Sequence, residues 1–191
     1  MKSTTWYVAL GTLMAPSAVL VGQPHFASGY RVGEVSQNSA ILWARLTANP
    51  DRNWNGVVPS PLMSPTRVFV DFPDIPAADW EGAVPGKAGE LRAMVGRSPD
   101  LKDARSTGWA TVAAETDFSH QFRLSGLEPA TRFYVAVEGR APDGSSNSSA
   151  VGSFRTSPVA DQWDEVWFAV TTCQLYYQRD DRDGFRIYRA L

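Results

Sequence analysis

Cysteine is nearly absent from this chain of 191 residues: Cys173 is the only one, so no internal disulfide can form and a disulfide-stapled fold is excluded. A lone thiol of this kind is either a small buried residue or a ligand. Histidine is almost as scarce, with His25 at a domain edge and His120 inside an alternating strand, where a packed ring is the simpler reading than a ligand. An excess of one charge is also missing. Lys and Arg number 18 against 20 Asp and Glu, for a net charge of −2. That balance gives no electrostatic footprint for DNA, RNA or an anionic membrane surface, and nucleic acid is excluded as a partner. Long apolar runs are lacking too. The longest, Trp6 to Val21, contains Gly11 and Pro16 and is shorter than the roughly 20 residues a spanning helix needs.

What is present in quantity is turn chemistry. The 13 Pro and 15 Gly residues fall between apolar runs and not within a low-complexity tract, so they read as punctuation. Lys2 followed by the Trp6 to Val21 run has the layout of a secretory signal over residues 1–22. Cleavage sites are marked after Ser17, with Ala15 at −3, or after Gly22; without a clean Ala-x-Ala, an uncleaved anchor is the alternative. Either way the expected location is exported: periplasmic, cell-surface or extracellular. No Cys follows the run, which argues against a lipoprotein.

From Gly29 to Ser157 short strand-like segments alternate with turns and no long helical periodicity intervenes, which predicts a mainly β sandwich. Tyr30–Val35 and Ser39–Thr47 form an expected first hairpin across Ser36-Gln37-Asn38. Ala40-Ile41-Leu42-Trp43-Ala44 is apolar on both faces, as in a central or covered strand. Residues 48–89 are broken by Pro50, Pro59, Pro61, Pro65, Pro73, Pro76 and Pro85 and read as a long insertion. Only Thr66–Phe72 has strand character there, with Trp54 and Trp80 as anchors. Glu90–Gly96 and Trp109–Ala114 are further strands, with a helical turn at Asp100–Arg105. The clearest patterning is Phe118, His120, Phe122 and Leu124 on one face, then Phe133, Val135 and Val137 on one face of the next strand. Pro142-Asp143-Gly144 and the polar run Ser145–Ser149 precede a last strand at Val151–Thr156.

Leu124-x-x-Leu127-x-Pro129-x-Thr131-x-Phe133-x-Val135-x-Val137, closed by Gly152-Ser153-Phe154-Arg155-Thr156-Ser157-Pro158, resembles the closing strands of fibronectin type III modules, which are two-sheet immunoglobulin-like sandwiches. The usual corner tyrosine falls on Phe133, which has no hydroxyl, and Tyr134 beside it points to the other face.

Beyond a linker at 159–164 the period changes. Val166–Val170 is a continuous apolar run that suits a strand buried on both faces of an α/β sheet. Asp183 reads as a helix N-cap, with Phe185, Tyr188 and Leu191 on one side of the helix. Thr171-Thr172-Cys173-Gln174 then lies at the carboxyl end of that strand, where ligands gather in such sheets. Asp181-Arg182-Asp183-Gly184 lacks the oxygen ligands that a calcium loop needs further on and reads as a solvated loop. Tyr176 and Tyr177 are candidates for the mouth of a site or for packing. Asn147-Ser148-Ser149 fits a glycosylation acceptor, relevant only in a eukaryotic secretory pathway.

The order Ala27-Ser28-Gly29, Gly33-Glu34-Val35, Ala40 to Leu46, Glu115-Thr116-Asp117-Phe118, Gly152 to Thr156, Thr172-Cys173-Gln174 and Gly184-Phe185-Arg186-Ile187-Tyr188 resembles PhoD-like alkaline phosphatases and phosphodiesterases. These are exported enzymes in which a fibronectin-like N-terminal domain precedes a metallophosphoesterase domain. The resemblance implies a sandwich over 26–158 and the truncated start of the catalytic domain over 165–191. It implies that Cys173 is a metal ligand, typically to ferric iron, with iron and calcium or another divalent metal in the full-length enzyme. A bound metal keeps such a thiolate deprotonated. It also implies a phosphoester substrate attacked by metal-activated water between metals roughly 3.5 to 4 Å apart. The remaining ligands belong to motifs such as Gly-Asp-x-x-Tyr and Asn-His, which this sequence does not contain. These 191 residues are therefore expected to bind no metal stably and to be inactive. The alternative is a secreted binding module that recognises a glycan or protein through the 48–89 insertion.

Overall fold

A computed structural model describes residues 22–58, 60–63, 68–71, 74–145, 147–175 and 179–189. The expected signal segment over 1–22, apart from Gly22, lies outside the described residues, as do Tyr176, Tyr177 and Leu191. Ten strands are present among them: β1 Tyr30–Gly33, β2 Ser39–Arg45, β3 Ser60–Met63, β4 Val68–Asp71, β5 Gly89–Gly96, β6 Arg105–Ser106, β7 Ala110–Val112, β8 Ser119–Ser125, β9 Arg132–Arg140 and β10 Asn147–Arg155. Three-residue or four-residue 3₁₀ turns at Ala77–Asp79, Ala114–Thr116 and Arg186–Arg189 are the helical elements described.

The strands form the expected sandwich. One sheet runs β1-β2-β8 and the other β10-β9-β5-β6, with β7 also on β5; every strand pair in both sheets is antiparallel. Register follows the period-two pattern, because a slip of one residue would turn each apolar set toward solvent. Leu42 opposes Phe122 and Ala40 opposes Leu124 in the first sheet, while Ala93 opposes Val137 and Val95 opposes Val135 in the second. All eight are buried and join Leu46, Leu91, Val112 and Phe133 in one core between the sheets. Phe133 stacks on Phe154 with ring centroids 5.9 Å apart. His120 is half-buried with its ring edge against Phe122 at 4.6 Å, a packing role as expected.

Three local expectations are corrected. The Pro-rich insertion holds a hairpin, β3 paired to β4, where the sequence showed one strand only; Pro61 sits in β3, a position open to Pro because this strand has a partner on a single side. The last strand begins at Asn147, so Asn147, Ser148 and Ser149 of the polar run open a nine-residue pairing with β9. The polarity of that run reflects an edge strand with solvent on its outer face.

The third correction concerns the end of the chain. Residues 165–175 contain no strand, and Val166, Trp167, Phe168 and Val170 are 76% to 85% exposed. A strand buried on both faces needs neighbours for its backbone N–H and C=O groups and apolar cover on each side, and no described strand pairs with this run. The expected helix from Asp183 is likewise a short 3₁₀ turn at Arg186–Arg189. Its entry is held by Asp180, whose carboxylate accepts the Arg186 N–H at 2.8 Å, while the Asp183 N–H is taken up by Asp181 at 2.9 Å. No described helix is long and apolar enough to cross a membrane.

Candidate functional site

Chemistry-bearing side chains gather on the insertion between β2 and β5. Its base is fixed to the sandwich by Thr47, which is fully buried; its hydroxyl accepts the Ala27 N–H at 3.0 Å and donates to the Asn49 carbonyl at 2.8 Å. From there the two arms of the insertion are laced together: Ala48 N–H to Pro85 O, Asn53 N–H to Ala83 O, Val57 N–H to Asp79 O and Glu81 N–H to Val57 O, at 2.8 to 2.9 Å. Gly56 permits this closure. A Cβ there would lie 2.3 Å from the backbone of Trp80 and Glu81, so any side chain would part the two arms.

Arg45, at the end of β2, ties the insertion to the core. One of its Nη atoms donates to the Val84 carbonyl at 2.8 Å; its Nε and other Nη hold the carbonyl and carboxylate of Asp117, each at 3.1 Å. Asp117 and Phe118 are consecutive residues with positive φ, 48° and 56°, so the entry to β8 is a strained corner held by one guanidinium.

Within the insertion Glu81 is buried. Its two carboxylate oxygens accept from both Nη atoms of Arg179 at 3.1 and 3.2 Å, and the side chains are only 3% and 20% exposed. A fork-to-fork pair of this type is the strong form of an ion pair. Losing either partner strands a buried charge, at about 3–5 kcal/mol in fully buried cases and less here because Arg179 keeps some solvent. Beside it the Trp54 ring carries two guanidinium groups, Arg52 at 3.7 Å and Arg182 at 4.3 Å from its centroid. Trp54 Nε1–H donates to Asp51 at 2.5 Å, and that bond, more than any charge nearby, lowers the Asp51 pKa below its ordinary 3.8. Arg52 also donates to the Arg182 carbonyl. Asn49, Asn53, Trp54, Arg52 and Arg182 are among the residues around an open cavity of about 430 Å³ here. Trp54 thus ties Asp51, Arg52 and Arg182 together within the insertion and the segment that meets it. Trp80, the second expected anchor, is half-buried and bridges Val57.

Cys173 lies apart from this cluster in the exposed stretch 165–175. It is therefore not the small buried residue that one reading of a lone thiol allows. Among the described residues no group of three or more His, Cys, Asp or Glu is arranged to hold a metal ion. One exposed thiol does not make up a two-metal donor set, so the described residues do not themselves fit the metals that the resemblance implies. His25 pairs through its backbone with Thr47, and Asn147 is exposed at the start of β10. Glu81, Arg179 and Gly56 were not marked by the sequence, and Arg182 was read only as part of a solvated loop. Glu81 and Arg179 are 98 residues apart and no local pattern links them.

The family described as PhoD-like phosphatase, N-terminal domain, matches residues 13–158 of this chain. A search of curated proteins gives no match. Among solved structures, one described as the structure of PhoD is 21% identical with a TM-score of 0.45, over 70% of this chain and 19% of that one. A fibronectin type III domain derived from a human protein is 10% identical with a TM-score of 0.39, covering 80% of this chain and 84% of that one. The sensor domain of an anti-sigma factor from Pseudobacteroides cellulosolvens is 9% identical, also at 0.39, covering 69% and 93%. This chain thus corresponds to 19% of the length of the PhoD structure.

Proposed function

This chain belongs to the family of PhoD-like phosphatase N-terminal domains, and from that premise we propose that it is the N-terminal portion of an exported phosphoester hydrolase, with Cys173 as one metal ligand. The observation that carries the reading is the position of Cys173. It follows the family's sandwich, which closes at residue 158, by a linker and an apolar run, and its thiol is accessible. An exposed run of Val166, Trp167, Phe168 and Val170 is unfavourable in water, and a sheet assembled around it removes that cost. Such a sheet sets Cys173 at a strand end, the place where α/β sheets collect ligands.

Iron, with calcium or another divalent metal, is the proposed metal set; the remaining ligands come from residues other than those described. The chain alone is proposed to be inactive, its role being to carry the sandwich and the first ligand. The test compares metal-dependent hydrolysis of bis(p-nitrophenyl) phosphate by the purified 191-residue chain and by the product of the coding frame read past Leu191. The expected result is turnover by the longer product and none by the chain. Turnover by the chain itself, or none by either, would overturn the proposal.

A further inference from the structure

We propose that Glu81 is the receptor by which the sandwich's insertion fastens the segment Arg179–Arg189, with the Trp54 ring as a second contact. The inference is about where that segment sits, and it holds whether or not Cys173 takes a metal.

Glu81 is the starting point. A buried carboxylate is costly unless it is paired and hydrogen-bonded, and among the described residues the ion pair it makes is to Arg179, beyond the family's domain. The backbone around Glu81 is fixed independently of that segment, through Val57 and the close approach of Gly56. The acid is therefore held ready by the insertion, and the fork comes to it. The geometry also selects arginine: each Nη atom donates to a different one of the two oxygens, a fork that the single ammonium of lysine does not reproduce.

The docking segment has a fold of its own. Gly184 and Asp181 exchange backbone hydrogen bonds at 3.2 Å, and the Asp180 carboxylate caps Arg186. Arg182, at the tip of that turn, is carried onto the Trp54 ring, and its carbonyl accepts from Arg52. Two contacts of different chemistry, an ion pair and a guanidinium on an aromatic ring, thus meet one small folded unit.

The fastening has a consequence for the span before it. Asp164 is paired with Arg155 at the end of β10, so the described stretch 165–175 follows one anchored residue and precedes another, Arg179, in the chain. Cys173 lies six residues before Arg179, which limits its Cα to about 20 Å from that anchor even in a fully extended chain. Glu81 is accordingly a positioning residue for the stretch that contains Cys173, acting through Arg179.

Amide hydrogen exchange followed by mass spectrometry on the whole 191-residue chain tests this, using Glu81→Gln and Arg179→Gln. The expected result is exchange on the order of tenfold faster for the Gly184 and Arg186 amides in both variants, with β2, β5 and β9 unchanged. Arg179→Lys is expected to show an intermediate rise, since charge remains while the fork is lost. Arg179 lies outside the sandwich, so Arg179→Gln leaves a folded domain in which to read the result. Unchanged exchange at Gly184 and Arg186 in that variant overturns the proposal.

Discussion

The hydroxyl of Thr156 donates to the carbonyl of Glu128 at 2.6 Å across the corner between β8 and β9. The same oxygen accepts the Thr131 N–H at 2.9 Å, and the Thr156 N–H returns to the Thr131 carbonyl at 3.0 Å. Thr156 is 2% exposed. Phe133, at the position where such sandwiches place a corner tyrosine, keeps its ring in the core and contributes no polar group. The corner bond is therefore present, but it is made from the end of the last strand by a threonine.

Thr156→Val keeps the shape and removes the hydroxyl, leaving the part-buried Thr131 N–H and Glu128 carbonyl without it. Unfolding free energy from urea titration is expected to fall by about 1–3 kcal/mol. Thr156→Ser, which retains the hydroxyl, is expected to lose less than half of that. Equal losses in the two variants would mean that packing, and not the hydrogen bond, fixes the corner.

Arg45→Met retains the apolar stem and releases both the Val84 carbonyl and Asp117. The strained pair Asp117 and Phe118 then lacks the guanidinium that holds it. A loss of about 1–3 kcal/mol is expected by the same urea titration, with increased protease cleavage within 48–89. Arg45→Lys is expected to recover only part, because one ammonium cannot serve three acceptors in that geometry.

Acid sensitivity follows from four aspartates whose pKa values are lowered from 3.8. For Asp103 the first cause is the backbone N–H of Arg97, then that of Ser98; for Asp51 it is Trp54, for Asp100 Lys102, and for Asp143 Ser145. A depressed folded-state pKa stabilises fully above the unfolded value and is lost as pH falls through the folded one. Stability is thus expected to be flat in this respect above pH 3.8 and to decline below it. Urea titrations from pH 6 to pH 2 check this, and Asp103→Asn is expected to flatten the acid limb.

The sandwich was legible because its signals are local. Alternation at Phe122 and Leu124, and at Phe133, Val135 and Val137, states which face is inward without reference to any other part of the chain. β2 is the central strand of its sheet, with Ala40, Leu42 and Ala44 buried on its inner face and Ile41 and Trp43 half-buried on the other. The insertion was not legible, because its order comes from hydrogen bonds between arms about 25 residues apart, as from the Asn53 side-chain amide to the Ala78 carbonyl or from the Val57 N–H to the Asp79 carbonyl. Nor was the Glu81 and Arg179 pair, which joins residues 98 apart. The run Val166–Val170 failed for the opposite reason: its pattern describes a strand in a completed sheet, and a strand exists only with partners to bond.

Ligation of iron by the Cys173 thiolate is read directly by one spectrum. The product of the coding frame read past Leu191 is loaded with ferric iron, and its visible absorption is compared between the natural sequence and Cys173→Ser. Thiolate coordination places a sulfur-to-iron charge-transfer band in the visible, which the hydroxyl of serine does not supply. That band is expected in the natural protein and is expected to be lost in Cys173→Ser. Identical spectra from the two, with iron bound in both, would contradict that ligation.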